Sequence, residues 1–186
     1  MKKFKSLFLI LAVLFTLVFC AWGSVRIVKY VNFNLNCEAY LKRAAVAITV
    51  DTAKEELAKA IGYIEENELT TGVVSIFLKN PTNDIGFWYR NIKSAHEELT
   101  LLPGDATALE KTNVLMKLRE SLTDKDSTGE TKVVFPDGLE IHPNNVLYFW
   151  WCIISCTVMC LFWTLFVVSL GLKFEVTKTT IVRKKT

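Results

Sequence analysis

The sequence has few of the residues that most often carry chemistry. It holds two histidines, His96 and His142, and neither belongs to an HExxH-type spacing. His96 precedes Glu97 and Glu98 and reads as polarity on a solvated helix. There is no nucleophile elbow, no glycine-rich loop to cradle a phosphate and no metal-ligand cluster. We therefore expect a protein that is not an enzyme and that holds no cofactor and no metal. No repeat and no low-complexity linker divides the chain. Basic charge is concentrated in a 14-residue tail, too little for nucleic-acid recognition, so no nucleic-acid partner is expected.

Cysteine is scarce where a disulfide framework would need it. Of five cysteines, Cys37 alone lies between the two apolar ends, so no disulfide can form within the middle region. Stability there must come from a packed core, with an intermolecular bond through Cys37 conceivable if that residue is exposed.

What the chain does have is two long runs without charge. Residues 7–22 read LFLILAVLFTLVFCAW, and with Gly23, Ser24 and Val25 they reach the length needed for a ~30 Å hydrocarbon core. Residues 146–172 form a second run, roughly 40 Å as a helix, that must tilt or leave its first turn among headgroups. Its opening aromatics, Tyr148, Phe149, Trp150 and Trp151, suit that interfacial level.

Charge then sets the orientation. The first six residues carry +3, the last fourteen carry +4, and residues 23–145 hold 14 basic against 18 acidic residues. Lysine and arginine are retained on the cytoplasmic side of a membrane, so both termini are expected there and the middle outside.

The expected organisation is a basic N-terminus (1–6), a first transmembrane helix (7–25), an extracytoplasmic domain (26–145), a second transmembrane helix (146–172) and a basic tail (173–186). The protein would be a two-pass protein of an inner membrane, with its tail on anionic lipid. A cleaved signal with a cut near Ser24 is the competing reading of the first segment. It is disfavoured by the length of the apolar stretch and by Trp22 in the cut region. A lipidated Cys20 would need a small residue where Phe19 stands.

The fold expected is an all-α membrane protein: two transmembrane helices flanking an antiparallel helical bundle with a small β-hairpin. After an extended approach, Asn36 is placed to cap a helix from Cys37, and Thr52 with Glu55 has capping-box spacing. Ala53, Leu57, Ala60, Ile61 and Ile64 form one apolar face, on a second helix or on the rest of a bent one. TTGVVSIFLK suits either a buried strand or a buried helical segment. Asn83 or Asp84 caps a helix with Ile85, Trp88, Ile92, Ala95, Leu99 and Leu102 at steps of three and four, ended by Pro103-Gly104. Asp105 opens the last helix, with Ala108, Leu115, Leu118 and Leu122 inside. The hairpin is expected over residues 131–142, turning at Pro136-Asp137-Gly138.

Two groups of residues are candidate sites. Cys152, Cys156 and Cys160 lie four apart, so a helix advances about 400° per step and sets them, with Thr164, on one slowly drifting face. The outer two are about 12 Å apart, too far for one helix to bring all three thiolates to one ion. Packing of a neighbouring helix on this small-residue face is the first reading, and a thiol or metal role is the alternative. Cys20 should lie at a depth similar to Cys152. The second group is Phe87-Trp88-Tyr89, three aromatics about 100° apart that one core cannot take together. Trp88 fits the buried stripe and Tyr89 borders it. Phe87 points elsewhere, either covering TTGVVSIFLK or anchoring a partner protein, so Phe87 and Tyr89 are candidate partner-binding residues.

The function expected is that of an accessory or scaffold subunit of an inner-membrane assembly. Its partners would be lipid and other membrane subunits, or a second copy through the second transmembrane helix. The alternatives are an extracytoplasmic ligand-sensing bundle acting through a partner, and an intramembrane thiol- or metal-handling protein.

Overall fold

The computed structural model describes residues 2–125 and 129–184, with side chains from 4 to 125 and 129 to 171. The chain is mostly helical with one small antiparallel sheet, and it divides into two compact units, one of residues 1–27 with 146–186 and one of residues 28–145.

The first unit is built from α1 (Lys2–Phe33) and α6 (Asn145–Lys184), of which residues 2–27 and 146–184 belong to it. Each contains a stretch long and apolar enough to cross a membrane. The two pack antiparallel: the Trp22 indole N–H donates to the Tyr148 carbonyl at 2.9 Å, Trp163 donates to Thr16 Oγ1 at 3.1 Å, and the Phe15 and Phe162 rings stack at 5.7 Å. On α6 the covered positions include Tyr148, Cys152, Ser155, Met159, Phe162, Phe166 and Ser169, alternating steps of four and three. On α1 they include Phe8, Ala12, Phe15, Phe19 and Trp22 at the same alternation. That period of 3.5 residues is the one that keeps a seam facing a partner helix.

The second unit is a ring of four helices. Helix α2 (Ala39–Ala45) packs on α3 (Val50–Glu66), α3 on α4 (Ile85–Leu101), α4 on α5 (Ala108–Leu122), and α5 back on α2. Their shared core includes Phe33, Leu41, Leu57, Ile64, Ile85, Ile92, Leu118 and Leu122. The apolar faces expected on α3 and α4 are the buried ones. One carboxylate shares the α3 face: Glu56, 3% exposed, is held by Arg43 at 2.9 Å and Lys59 at 3.3 Å.

Several boundaries differ from the expectation. Asn36 caps nothing, and the approach is not extended: α1 runs to Phe33 and passes through a π-helical turn, Asn34–Glu38, into α2. No glycine or proline lies between Gly23 and Gly62 to stop it, and Asn36 bonds back to the Asn32 carbonyl at 2.9 Å. The wider turn keeps Phe33, Cys37 and Leu41, spaced by four, on the inward side. Residues 46–49 then separate two helices, and the cap of α3 is Thr49, whose hydroxyl accepts from the Thr52 amide. Thr52 is thus the third residue of the helix, not its start. Likewise α5 is capped by Thr107 with Glu110 in a reciprocal capping box, not opened by Asp105, and Ala108 is exposed in its first turn.

TTGVVSIFLK is neither strand nor helix. It forms bends with a single bridge, Val73 to Asp84, and buries Val74. The hairpin is also displaced: β1 (Thr123–Lys125) pairs antiparallel with β2 (Thr131–Val133), Thr123 opposite Val133. The turn at Pro136-Asp137-Gly138 exists, with Gly138 at φ 88°, but it leads into a 3-10 turn, Leu139–Ile141. Leu139 is wholly buried there and Ile141 nearly so, which a solvent-edged strand would not achieve.

Candidate functional site

The chain around α4 builds a cleft entirely from the second unit. Asn80 caps the 3-10 turn Pro81–Asn83, and Asp84 caps α4 by accepting from the Phe87 amide at 3.0 Å. Two caps in quick succession turn the chain into α4, whose first turn buries Ile85, Gly86 and Trp88 and leaves Phe87 exposed. Opposite stands the irregular segment after the hairpin, residues 134–137. It is strapped on by the Trp88 indole donating to the Val134 carbonyl at 2.8 Å and by the Val134 amide donating to the Leu122 carbonyl at 2.9 Å. Phe135 is anchored from behind by the Phe33 ring at 5.1 Å.

Between these walls lies a cleft of about 440 Å³. Phe87, Trp88, Phe135 and Pro136 supply its apolar surface, and Ile92 and Leu122 its base. Asn91, Ser121, Asp84 and Asp137 supply its polar atoms. Phe87 stands at the mouth, 54% exposed. The volume is within the range of small-ligand and side-chain pockets.

Phe87 and Tyr89, the two expected partner-binding residues, are not brought together. Phe87 lines the cleft, whereas the Tyr89 hydroxyl hydrogen-bonds Glu65 on α3 and Lys93 sits 5.6 Å from its ring centroid. The Glu65 bond, more than burial, raises the Tyr89 phenol above its ordinary value. This tyrosine fastens α4 to α3.

In the first unit, Cys152 and Cys156 are half-buried, while Cys160, Thr164 and Cys20 are exposed. Steps of four drift away from a seam of period 3.5, so only Cys152 lies on it. All five cysteines are free thiols, and Cys37 is 0% exposed, which rules out the intermolecular bond considered for it. Among the described residues no group of three histidine, cysteine, aspartate or glutamate side chains could hold a metal.

The two histidines lie apart. His96, on α4 beside Lys54, is pushed below its ordinary pKa mainly by burial. His142 is pushed down by burial too, opposed by a backbone hydrogen bond at Thr71. It packs against Gly72, where an added Cβ would lie 2.9 Å from its Cε1. Phe135 and Asp137 carry no local signal as wall residues, because Pro136-Asp137-Gly138 has the pattern of a hairpin tip.

The architecture is thus a four-helix ring carried on the same chain as an antiparallel pair of apolar helices. The chain matches no protein family model, no curated protein and no solved structure, so the cleft and the apolar surfaces carry the functional argument by themselves.

Proposed function

We propose that this is a two-pass membrane protein acting as a non-enzymatic accessory or scaffold subunit of an inner-membrane assembly, with the four-helix unit displayed outside the cytoplasm. The observation that carries this reading is the exposure of the apolar helices: only 6% of either apolar window is buried within the chain. The core helix of a water-soluble protein would be mostly buried. Surfaces so apolar and so uncovered call for lipid or for other apolar helices.

The orientation rests on the basic flanks and the acidic middle. The α1–α6 seam occupies one side of each helix and leaves Cys160 and Thr164 off it, on a face where a partner helix or a second copy would pack. A ligand-sensing bundle acting through a partner is the second reading, and the cleft beside α4 is the observation that favours it. An intramembrane thiol or metal function would require the cysteine face itself, so substituting Cys152, Cys156 and Cys160 by alanine separates it from both.

The test is extraction of the tagged protein in mild detergent, followed by native mass measurement and identification of co-purifying chains. A stoichiometric partner supports the subunit reading. A bare monomer or homodimer contradicts it and favours the sensing bundle.

A further inference from the structure

The cleft beside α4 has a charge of one sign. Asp84 and Asp137 are on its lining, and among the described residues no lysine or arginine is. Neither aspartate belongs to an ion pair among the described residues, and the cation nearest Asp84, Arg90, approaches it over Gly86 from outside the lining. Asp84 spends one oxygen on the Phe87 amide. The remaining walls are aromatic and aliphatic, with Phe87 and Phe135 among them and Leu122 beneath.

Aromatic faces next to carboxylates attract cations, most of all a planar guanidinium, which stacks on a ring while its fork of donors meets a carboxylate. The cleft is also open to the outside. Phe87 is more than half exposed, and Asn91 and Asp137 are exposed at the rim. A small free ligand is ordinarily engulfed by its site, with most of its surface buried. An open cleft suits a side chain presented from another protein's surface.

The geometry points to this cleft as the receptor for an arginine of a partner protein, carried on a short extended segment with apolar neighbours. The guanidinium lies against Phe87 between Asp84 and Asp137, and the flanking apolar side chains cover Phe135 and Leu122. This rests on the partner-subunit reading and names the chemistry by which the partner is held.

The test uses the full chain in neutral mild-detergent micelles. The blocked tripeptide acetyl-Leu-Arg-Leu-amide is titrated calorimetrically beside its citrulline analogue, which keeps the shape and loses the charge, and beside methylguanidinium. The variants are the double substitution Asp84→Asn/Asp137→Asn and the single Phe87→Ala. Asparagine caps a helix as well as aspartate does, so the double variant keeps the cleft's shape. Phe87 is exposed enough that its loss spares the fold, and an unchanged unfolding temperature checks both variants.

The arginine peptide is expected to bind at least about tenfold more tightly than the citrulline peptide. The double variant should abolish that difference, and Phe87→Ala should weaken the arginine peptide by a similar factor. Equal binding of arginine and citrulline peptides, or no response to the double variant, overturns the proposal. Methylguanidinium binding as tightly as the tripeptide also overturns it, in favour of a small-cation pocket. If a stoichiometric partner co-purifies equally well with wild type and with both variants, the subunit reading stands and the cleft proposal alone falls.

Discussion

The two units use the same kinds of residue in opposite ways. In the four-helix unit the wholly buried side chains include many large ones, Phe33, Leu41, Leu57, Ile64, Ile85 and Leu139, beside the small Cys37, Ala53 and Ala60. In the apolar pair the most deeply buried residues of the two spans are small, Ala12 at 0% and Ser155 at 2% exposed, while Ile10, Leu17, Ile154, Val167 and Val168 lie outside. One unit is ordered by removing apolar surface from water. The other leaves most of its apolar surface outside and is joined along one seam by ring stacking and indole hydrogen bonds. The lesson is that hydrophobicity alone does not say which way a side chain faces. The solvent around the element decides it.

The largest test of this contrast removes one large side chain from each unit. Phe33→Ala should cost about 3–5 kcal/mol, through lost burial and a cavity, whereas Leu17→Ala should cost within about 0.5 kcal/mol because Leu17 faces outward. Thermal unfolding in detergent micelles compares the two, and equal losses would erase the distinction.

Next in size is Gly72→Ala. At φ +109° and with His142 Cε1 only 2.9 Å from the new Cβ, it should destabilise the four-helix unit by about 2 kcal/mol. An unchanged midpoint would mean that the segment before α4 is not fixed against His142.

Trp163→Phe probes the other unit. Losing the bond from the indole N–H to Thr16 should weaken the helix pair by about 0.6 kcal/mol, a typical value between transmembrane helices. Steric trapping of the pair in bilayers would measure it. Thr16→Val should give a similar loss, and the two together no more than either alone.

The smallest effect is the response to pH. His96 and His142 are both depressed below 6.5, mainly by burial, so the unfolded chain binds more protons than the folded chain just below that value. Their contribution is present above pH 6.5 and lost as pH falls through the folded values. The unfolding midpoint should fall on acidification from pH 7 to 5, and His96→Gln/His142→Gln should fall less. The apolar pair contains no histidine and should not share this component.

The sequence announced both apolar helices by length and absence of charge, and the inner faces of α3 and α4 by spacings of three and four. It also narrowed the cap of α4 to Asn83 or Asp84, of which Asp84 is the cap. The continuity of α1 into α2 was hidden because Asn32, Asn34 and Asn36 resemble a cap region, while the core that Phe33 enters, against Tyr63 and Phe135, lies far away in sequence. The partner of β2 was missed for a similar reason. Thr123–Lys125 looks like the frayed end of a helix until its pairing with Thr131–Val133 is known.

The cleft was legible only as an unplaced Phe87. Its second wall comes from residues 134–137, and no local pattern could join residues that far apart. Long-range strapping by Trp88 does so.

The most direct test of the central claim, that the two units face different solvents, is cysteine labelling on sealed membrane preparations with a membrane-impermeant maleimide. Ile48→Cys, on the loop between α2 and α3, and Leu14→Cys, within the apolar part of α1, are each compared with the wild-type background. The account predicts that Ile48→Cys is labelled from outside intact cells and that Leu14→Cys is labelled only after the membrane is dissolved. Labelling of Leu14→Cys in the intact membrane would contradict it.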